Sequence, residues 1–166
     1  VNGDCFNGYG TFIDKYKGTY VGDFKDGKYH GQGTFKYGVN PLGGDLDYDS
    51  RNWSSLEKES GFWENGELHG EGTRIWVKKN DHKYQAKYVG NFCRGEIDGY
   101  GTEWYHWGDY FEGLFKDCSI VHSDCYFDNK LKCDGNSNRV QEGIMYKLDG
   151  TSEYGRWETN TYFTNN

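Results

Sequence analysis

The tetrapeptide Gly-x-Gly-Thr occurs four times in this chain of 166 residues and constrains the fold more than any other feature. The four copies begin at Gly8, Gly31, Gly70 and Gly99. Repetition of a motif along a chain is the signature of an array of small, similar structural units. We therefore expect a repeat protein rather than a fold built from unrelated elements.

The spacing between these motifs and nearby aromatic residues defines the period of the repeat. Phe24, Trp63 and Phe92 each stand 9 residues before the second glycine of the motif that follows. In the shortest units the next aromatic comes 14 residues after that glycine, which gives a basal period of 23 residues. Longer units carry insertions in the 14-residue part, where surface loops tolerate added length.

Each unit has the pattern of a β-hairpin. Tyr20, Gly22 and Phe24 occupy alternate positions and share one face of a strand, while the intervening residues share the other face. Because Gly22 lies between two rings, we expect a neighbouring ring to cover the position of its missing side chain.

The turns of these hairpins are marked by a second set of glycines. Gly27, Gly66 and Gly95 follow Asp, Asn and Arg at the predicted turn positions. Asp-Gly and Asn-Gly pairs supply the positive φ angles of tight hairpin turns at little cost.

The order Tyr20-x-Gly22-x-Phe24-x-x-Gly27, continued by Gly31-x-Gly33, resembles the MORN repeat. The resemblance implies an all-β fold, an elongated single-layer array of about five to six β-hairpins. The predicted repeat-defining residues are Tyr20, Gly22, Phe24, Gly27, Gly31, Gly33, Gly61, Trp63, Gly66, Gly70, Gly72, Tyr88, Gly90, Phe92, Gly95, Gly99 and Gly101.

The pattern divides the chain into three parts. Residues 1–117 carry MORN-like repeats, with a long loop insert at 36–59 that contains the only proline, Pro41. Residues 118–142 form a degenerate, cysteine-containing repeat in which the glycines are lost. Residues 143–166 form a terminal MORN-like repeat. Because the sequence opens at Val1 without an initiator Met, we expect it to be a processed or excised piece.

Composition narrows the classes of partner. The net charge is -7, which opposes binding to nucleic acid and makes an anionic membrane an unfavourable partner. No stretch approaches the roughly 18 consecutive apolar residues of a membrane-spanning helix.

The cysteines and one histidine form the only group with the composition of a metal site. Cys118, His122, Cys125 and Cys133 include the right ligand types for zinc, but their spacing lacks the paired Cys-x-x-Cys element, so they are weak candidates. A disulfide within this group and free thiols are the alternatives.

No arrangement of residues predicts catalysis or a cofactor. The Gly-x-Gly motifs are not followed by a helical pattern, so they lack the context of a phosphate-binding loop. His30 and His69 fill the same repeat position, and we interpret them as turn residues. We therefore predict that the chain is not an enzyme and uses no cofactor.

Aromatic residues outside the repeat frame are the candidates for partner contact. We single out Trp53, within the long insert, and Trp104 and Trp107, within the densest aromatic cluster. Asn52 begins an Asn-Trp-Ser glycosylation sequence, which is relevant only to a secreted protein.

The resemblance favours a non-catalytic scaffold that mediates protein assembly, including self-association into homo-oligomers. It also favours a cytoplasmic or cytoskeleton-associated location. The first alternative is a secreted carbohydrate- or surface-binding structural protein, suggested by the aromatic composition, the cysteines and Asn52. A phospholipid-binding module is a lesser alternative, which the family implies and the charge opposes.

Overall fold

Alternating side chains and closely spaced glycine turns lead to one continuous antiparallel sheet. In the computed structural model the described residues are 1–38, 55–78, 81–117, 131 and 139–159. Within these ranges eleven strands follow each other in the sheet in chain order, and no helix is present. The prediction of an all-β, single-layer array of five to six hairpins is confirmed.

The strands lengthen toward the middle of the sheet. Their bounds are β1 Asn2–Gly3, β2 Gly8–Asp14, β3 Gly18–Lys25, β4 Lys28–Tyr37, β5 Ser55–Glu64, β6 Glu67–Lys78, β7 Asp81–Cys93, β8 Glu96–Trp104, β9 Tyr110–Asp117, β10 Arg139–Tyr146 and β11 Ser152–Thr159.

The two-residue turns of the three central hairpins have the conformation that the sequence predicts. Asp26 and Gly27 have φ angles of 51° and 74°, and the equivalent residues of the other two turns also have positive φ angles. Two consecutive positive φ angles match a type I′ turn, whose twist suits a hairpin. The turns also contact one another, because the N–H of Gly66 donates to the carbonyl of Tyr29 in the preceding hairpin at 2.9 Å.

A row of glycines crosses the whole sheet, with one glycine on every strand and each paired in register with the next. We call this row the glycine ladder: Gly3, Gly10, Gly22, Gly33, Gly61, Gly72, Gly90, Gly101, Gly113, Gly143 and Gly155. A sheet's side chains alternate between faces, so the ladder fixes the register of every strand and decides which residues reach each face.

The first glycine of the Gly-x-Gly motif has a separate role beside the ladder. In the hairpin of β3 and β4, Gly22 pairs with Gly33 but Asp23 pairs with His30, so β4 contains two extra residues at this point. Gly31 lies in this bulge with a φ of 57°, a conformation that favours glycine. The hairpins of β5–β6 and β7–β8 shift register at the same place.

Aromatic side chains fill the space that the ladder leaves on one face of the sheet. Tyr20 is fully buried, and its Oη donates to the carbonyl of Asp23 at 3.1 Å. A side chain on Gly33 would collide with the phenol ring of Tyr20. Tyr88 repeats this arrangement over Gly101. The ring therefore covers Gly33 rather than Gly22, where the expected covering ring was placed; at Gly22 the nearest atoms belong to the backbone of β4 and to the Tyr20 hydroxyl.

The rest of this core is built from edge-to-face ring pairs. Tyr20 and Trp63 lie 5.4 Å apart at 84°, and Tyr88 and Phe115 lie 5.0 Å apart at 88°. Such pairs contribute roughly 0.5–1.5 kcal/mol beyond the burial of their area. Burial raises the pKa of both phenols, Tyr20 and Tyr88, because a phenolate would be poorly solvated here.

Two predicted segment boundaries differ from the structure. Residues 36–37 and 55–59 of the expected loop insert belong to β4 and β5, so the insert is shorter than predicted. Residues 139–142 of the expected degenerate repeat belong to β10, which pairs directly with β9. β9 and β10 are therefore neighbours in the sheet, with Gly143 paired to Gly113, and the terminal hairpin begins at Arg139.

Candidate functional site

The face of the sheet opposite the aromatic core carries one continuous groove. It encloses about 1400 Å³ and is lined by residues from β2 through β11. Most of the lining residues are ladder glycines or stand immediately before or after one. The ladder glycines contribute backbone to the groove, and the residues before and after them contribute side chains on both sides of that line.

Small side chains run beside the ladder along the floor of the groove. Thr34, Ser60 and Thr73 are consecutive cross-strand partners, and Val21 and Val89 extend the row on either side. All five are groove-lining residues. The central floor is consequently shallow and offers hydroxyl groups together with methyl groups.

Exposed tyrosine rings stand along the groove. Tyr9, Tyr100 and Tyr154 line it, although 65%, 66% and 70% of their surfaces remain exposed. Tyr9 and Tyr100 each occupy the central position of a Gly-x-Gly motif. Large exposed rings that have no packing role in the core are common at the centre of protein interfaces.

The charge of the groove lining is acidic. Glu71, Glu112 and Glu142 line the groove, and no Lys or Arg is found among its described lining residues. The hydroxyl of Tyr154 donates to Oε1 of Glu142 at 2.5 Å, and this bond to the carboxylate raises the pKa of Tyr154. The lining thus combines negative charge with aromatic surface.

Basic residues do occur on the same face, outside the lining. Lys36 and Lys58 are direct cross-strand partners, and Lys87 lies two strands beyond Lys58. Each stands two residues further from the ladder than the floor row, so the three lysines flank the groove on one side. Arg156 lies opposite Glu142 and forms an ion pair with Glu158 at 2.7 Å.

Two of the three predicted contact tryptophans are described, and neither lines the groove. Trp104 stacks with Tyr110 at 6.5 Å and lies 5.0 Å from Nζ of Lys87. Trp107 stacks face to face on Tyr105 at 4.6 Å in the loop between β8 and β9. Both remain partly exposed, at 37% and 47%. Trp104 thus packs on the groove face, whereas Trp107 packs on Tyr105, which contacts the aromatic core. Trp53 and Asn52 lie outside the described residues.

Cys118, His122, Cys125 and Cys133 lie outside the described residues, and within those residues no group of three or more His, Cys, Asp or Glu could hold a metal ion. His69 lies 3.7 Å from Glu64, and the carbonyl of His30 accepts a bond from Tyr20. The two histidines are in separate hairpins.

The two described cysteines, Cys5 and Cys93, are in different states. The buried Cys93 is disulfide-bonded, whereas Cys5 is free and half-buried. The sequence left a disulfide within the group from Cys118 to Cys133 and free thiols as alternatives, and it suggested no bond to Cys93.

Sequence reasoning missed the groove and most of its lining. One signal was present: the central residue of each Gly-x-Gly motif varies among Tyr9, Gln32, Glu71 and Tyr100 within an otherwise fixed frame. All four of these side chains line the groove. A variable position between invariant structural glycines therefore marks the face that is free to contact a partner.

The MORN repeat model matches residues 20–39, 60–80 and 88–110. The chain carries MORN repeats. The first two matches coincide with the hairpins of β3–β4 and β5–β6, and the third begins in β7 and covers β8. A comparison with curated proteins finds no match to this chain.

MORN repeats indicate a repeat-based interaction or membrane-binding module, and the family is generally non-enzymatic. Across the described ranges, the chain contains no helix of the length and apolar character required to cross a bilayer. The described part of the chain therefore presents the acidic, tyrosine-bearing groove and, apart from it, the partly exposed rings of Trp104 and Trp107.

Proposed function

We propose that the chain is a non-catalytic interaction module whose MORN repeats hold an extended segment of a partner protein in the groove. The observation that carries this proposal is the continuity of the groove from β2 to β11 along the glycine ladder. Exposed Tyr9, Tyr100 and Tyr154 supply apolar contact area along it. Aromatic rings that line a groove are typical of sites that bind extended peptides.

The dimensions of the groove favour a chain segment as its occupant. Neighbouring strands lie about 4.8 Å apart, so the nine steps from β2 to β11 measure roughly 43 Å along the sheet. An extended chain advances about 3.4 Å per residue, so a segment of about 13 residues would cross the groove. The net charge of -7 supports a protein occupant over nucleic acid or an anionic membrane, because both of these are polyanions.

A groove-blocking variant tests the proposal. A library of 16-residue peptides displayed on phage would be selected against the purified chain. Thr73→Trp places a large ring on the groove floor, and Glu67→Trp places the same ring at an exposed position outside the lining. We expect selected peptides to lose binding to Thr73→Trp and to keep it with Glu67→Trp. Equal binding to both variants, or no enrichment above background, would contradict the proposal.

Self-association is a second candidate function, favoured by the open edge of the sheet. β11 is the outermost strand and pairs only with β10 among the described strands. An eight-residue edge strand offers backbone groups that a second copy of the chain can pair with. Sedimentation velocity over a hundredfold range of concentration tests this: a mass that increases with concentration supports pairing, and a constant monomer mass contradicts it.

A further inference from the structure

The three carboxylates of the groove are placed so that they can recognise charge on its occupant. Glu71 lies on β6, Glu112 on β9 and Glu142 on β10. Glu71 and Glu112 form no ion pair or hydrogen bond with any described residue, and Glu142 only accepts the bond from Tyr154. A groove lined by charges of one sign attracts and orients the opposite charge.

The distances between these carboxylates determine how far apart the basic residues of a bound segment would have to be. From β6 to β9 there are three strand steps, or about 14 Å at 4.8 Å per step. An extended chain covers that distance in about four residues. Glu112 and Glu142 precede ladder glycines on neighbouring antiparallel strands, so they lie on opposite sides of the ladder, roughly 7–8 Å apart. They can contact one cationic group from both sides.

Tyrosine rings lie between and beside the carboxylates. Tyr100 on β8 stands on the same side of the ladder as Glu71, and its hydroxyl is near enough to Tyr154 to raise the pKa of that phenol further. An exposed ring next to a carboxylate suits a lysine or arginine, whose aliphatic stem packs on the ring while its charged end reaches the carboxylate.

We propose that the groove selects an extended segment that carries two basic residues four positions apart. Glu71 binds the first basic residue, and Glu112 together with Glu142 binds the second, with Tyr100 contacting the segment between them. This inference rests on the proposed function, since it names the chemistry of the segment held in the groove. Lys36, Lys58 and Lys87 flank the lining at the β4–β7 end. Their charges repel any basic residue of the segment that lies outside the groove on that side.

The test uses the same peptide selection, analysed for sequence. Among peptides whose binding is lost in Thr73→Trp, we expect Lys or Arg pairs at a spacing of four residues to be enriched over pairs at spacings of one and two. A selected peptide would then be synthesised with both basic residues in place, with both replaced by Gln, and with the second moved next to the first. Fluorescence anisotropy with the purified chain gives the affinity of each peptide.

Carboxylate variants identify the groups responsible. Each of Glu71→Gln, Glu112→Gln and Glu142→Gln should weaken binding of the basic peptide about 2- to 5-fold, the range of a partly exposed ion pair, and the triple variant by about tenfold or more. Glu67→Gln removes the same charge outside the lining and should leave affinity unchanged. The weakening should be smaller in 500 mM salt than in 50 mM salt.

The outcomes separate this inference from the proposed function. If groove-dependent peptides show no basic enrichment, or the Gln peptide binds equally well, the groove holds a segment but does not select charge, and this inference fails alone. If binding does not depend on Thr73, both fail. If the chain instead sediments with vesicles containing anionic lipid and Thr73→Trp abolishes that binding, the groove takes a membrane ligand and the basic-segment inference is overturned.

Discussion

The hydroxyl of Tyr20 lies in the space that a side chain on Gly33 would need. The same relation holds between Tyr88 and Gly101, four strands further along the sheet. Each tyrosine is therefore held between a glycine that lacks a side chain and carbonyls that accept its proton. Two consequences of this contact can be measured, one for the glycine and one for the hydroxyl.

Gly33→Ala should destabilise the fold by about 1–3 kcal/mol, because the added methyl group overpacks the core against the ring of Tyr20. Gly38→Ala is the matched control, since a Cβ there meets nothing closer than 3.4 Å. Urea unfolding followed by tryptophan fluorescence measures both. Equal stability of the two variants would show that the core accommodates the methyl group at Gly33 with no loss of stability.

Tyr20→Phe should lower the free energy of unfolding by about 0.5–1.5 kcal/mol, since the ring stays but its hydrogen bonds to the carbonyls of Asp23 and His30 are lost. Tyr9→Phe removes a hydroxyl from a ring that is 65% exposed and should change stability by less than about 0.5 kcal/mol. Denaturant unfolding under identical conditions compares the two. If Tyr9→Phe loses as much stability as Tyr20→Phe, the hydrogen bonds of Tyr20 are not the cause of the loss.

Glu103→Gln should lower the free energy of unfolding by about 3 kcal/mol, because it removes the buried charge that pairs with Arg139. The guanidinium of Arg139 contacts both carboxylate oxygens, at 2.9 and 3.3 Å, and the hydroxyl of Tyr105 donates to the same carboxylate. Thermal and urea unfolding measure the change.

Glu158→Gln is the control for that prediction. It breaks the more exposed ion pair with Arg156 and should lower the free energy of unfolding by no more than about 1 kcal/mol. Similar losses in the two variants would mean that the pair of Glu103 and Arg139 behaves as a surface ion pair.

Stability should fall at low pH in part through Asp14. Its carboxylate accepts bonds from the N–H groups of Tyr16 and Lys17, and these bonds lower its pKa below 3.8. A carboxyl whose pKa is lower in the folded state stabilises the fold above the unfolded value, and that contribution is lost as the pH falls through the folded pKa. Carbon-detected NMR titration should give Asp14 a pKa below 3.8.

Asp14→Asn provides the control for the pH effect. The amide oxygen can accept the same backbone bonds but does not titrate, so the difference in stability between wild type and variant should narrow between pH 5 and pH 2.5. A difference that stays constant across this range would show that Asp14 has the same pKa in the folded and unfolded chain.

Thiol alkylation should distinguish the two described cysteines. Peptide mapping of the native, unreduced protein should find Cys5 modified and Cys93 unmodified, and reduction under denaturing conditions should make Cys93 reactive. Slow labelling of Cys5 is expected, since its side chain is half-buried beneath Gly10. Labelling of Cys93 before reduction would contradict the disulfide.

The sequence predicts the parts of this fold that depend on local chemistry. The turn at Asp26 and Gly27 follows from backbone preferences, and the contact of Tyr20 with a glycine follows from period-two alternation. Pairing across an insertion is different, because it depends on register rather than on neighbours in the chain. The sequence therefore predicts a degenerate repeat over residues 118–142, whereas Gly143, which follows that segment, is the residue that pairs with Gly113.

The groove was not predicted, because it depends on how the sheet as a whole is shaped. Glu71, Glu112 and Glu142 are far apart in sequence and look like ordinary exposed carboxylates. They come to one face of the sheet only because each stands immediately before a ladder glycine. The disulfide of Cys93 was missed for the same reason, since a three-dimensional contact selects its partner.

The glycine ladder also separates two quantities that usually change together in a protein, chain length and binding-site length. Insertions between β4 and β5 and between β9 and β10 leave the pairing of Gly33 with Gly61 and of Gly113 with Gly143 intact. The reach of the groove is therefore counted in strands and not in residues. Duplication of one hairpin would extend it by about 10 Å and leave every existing contact in place, so partner length can evolve without redesign of the site.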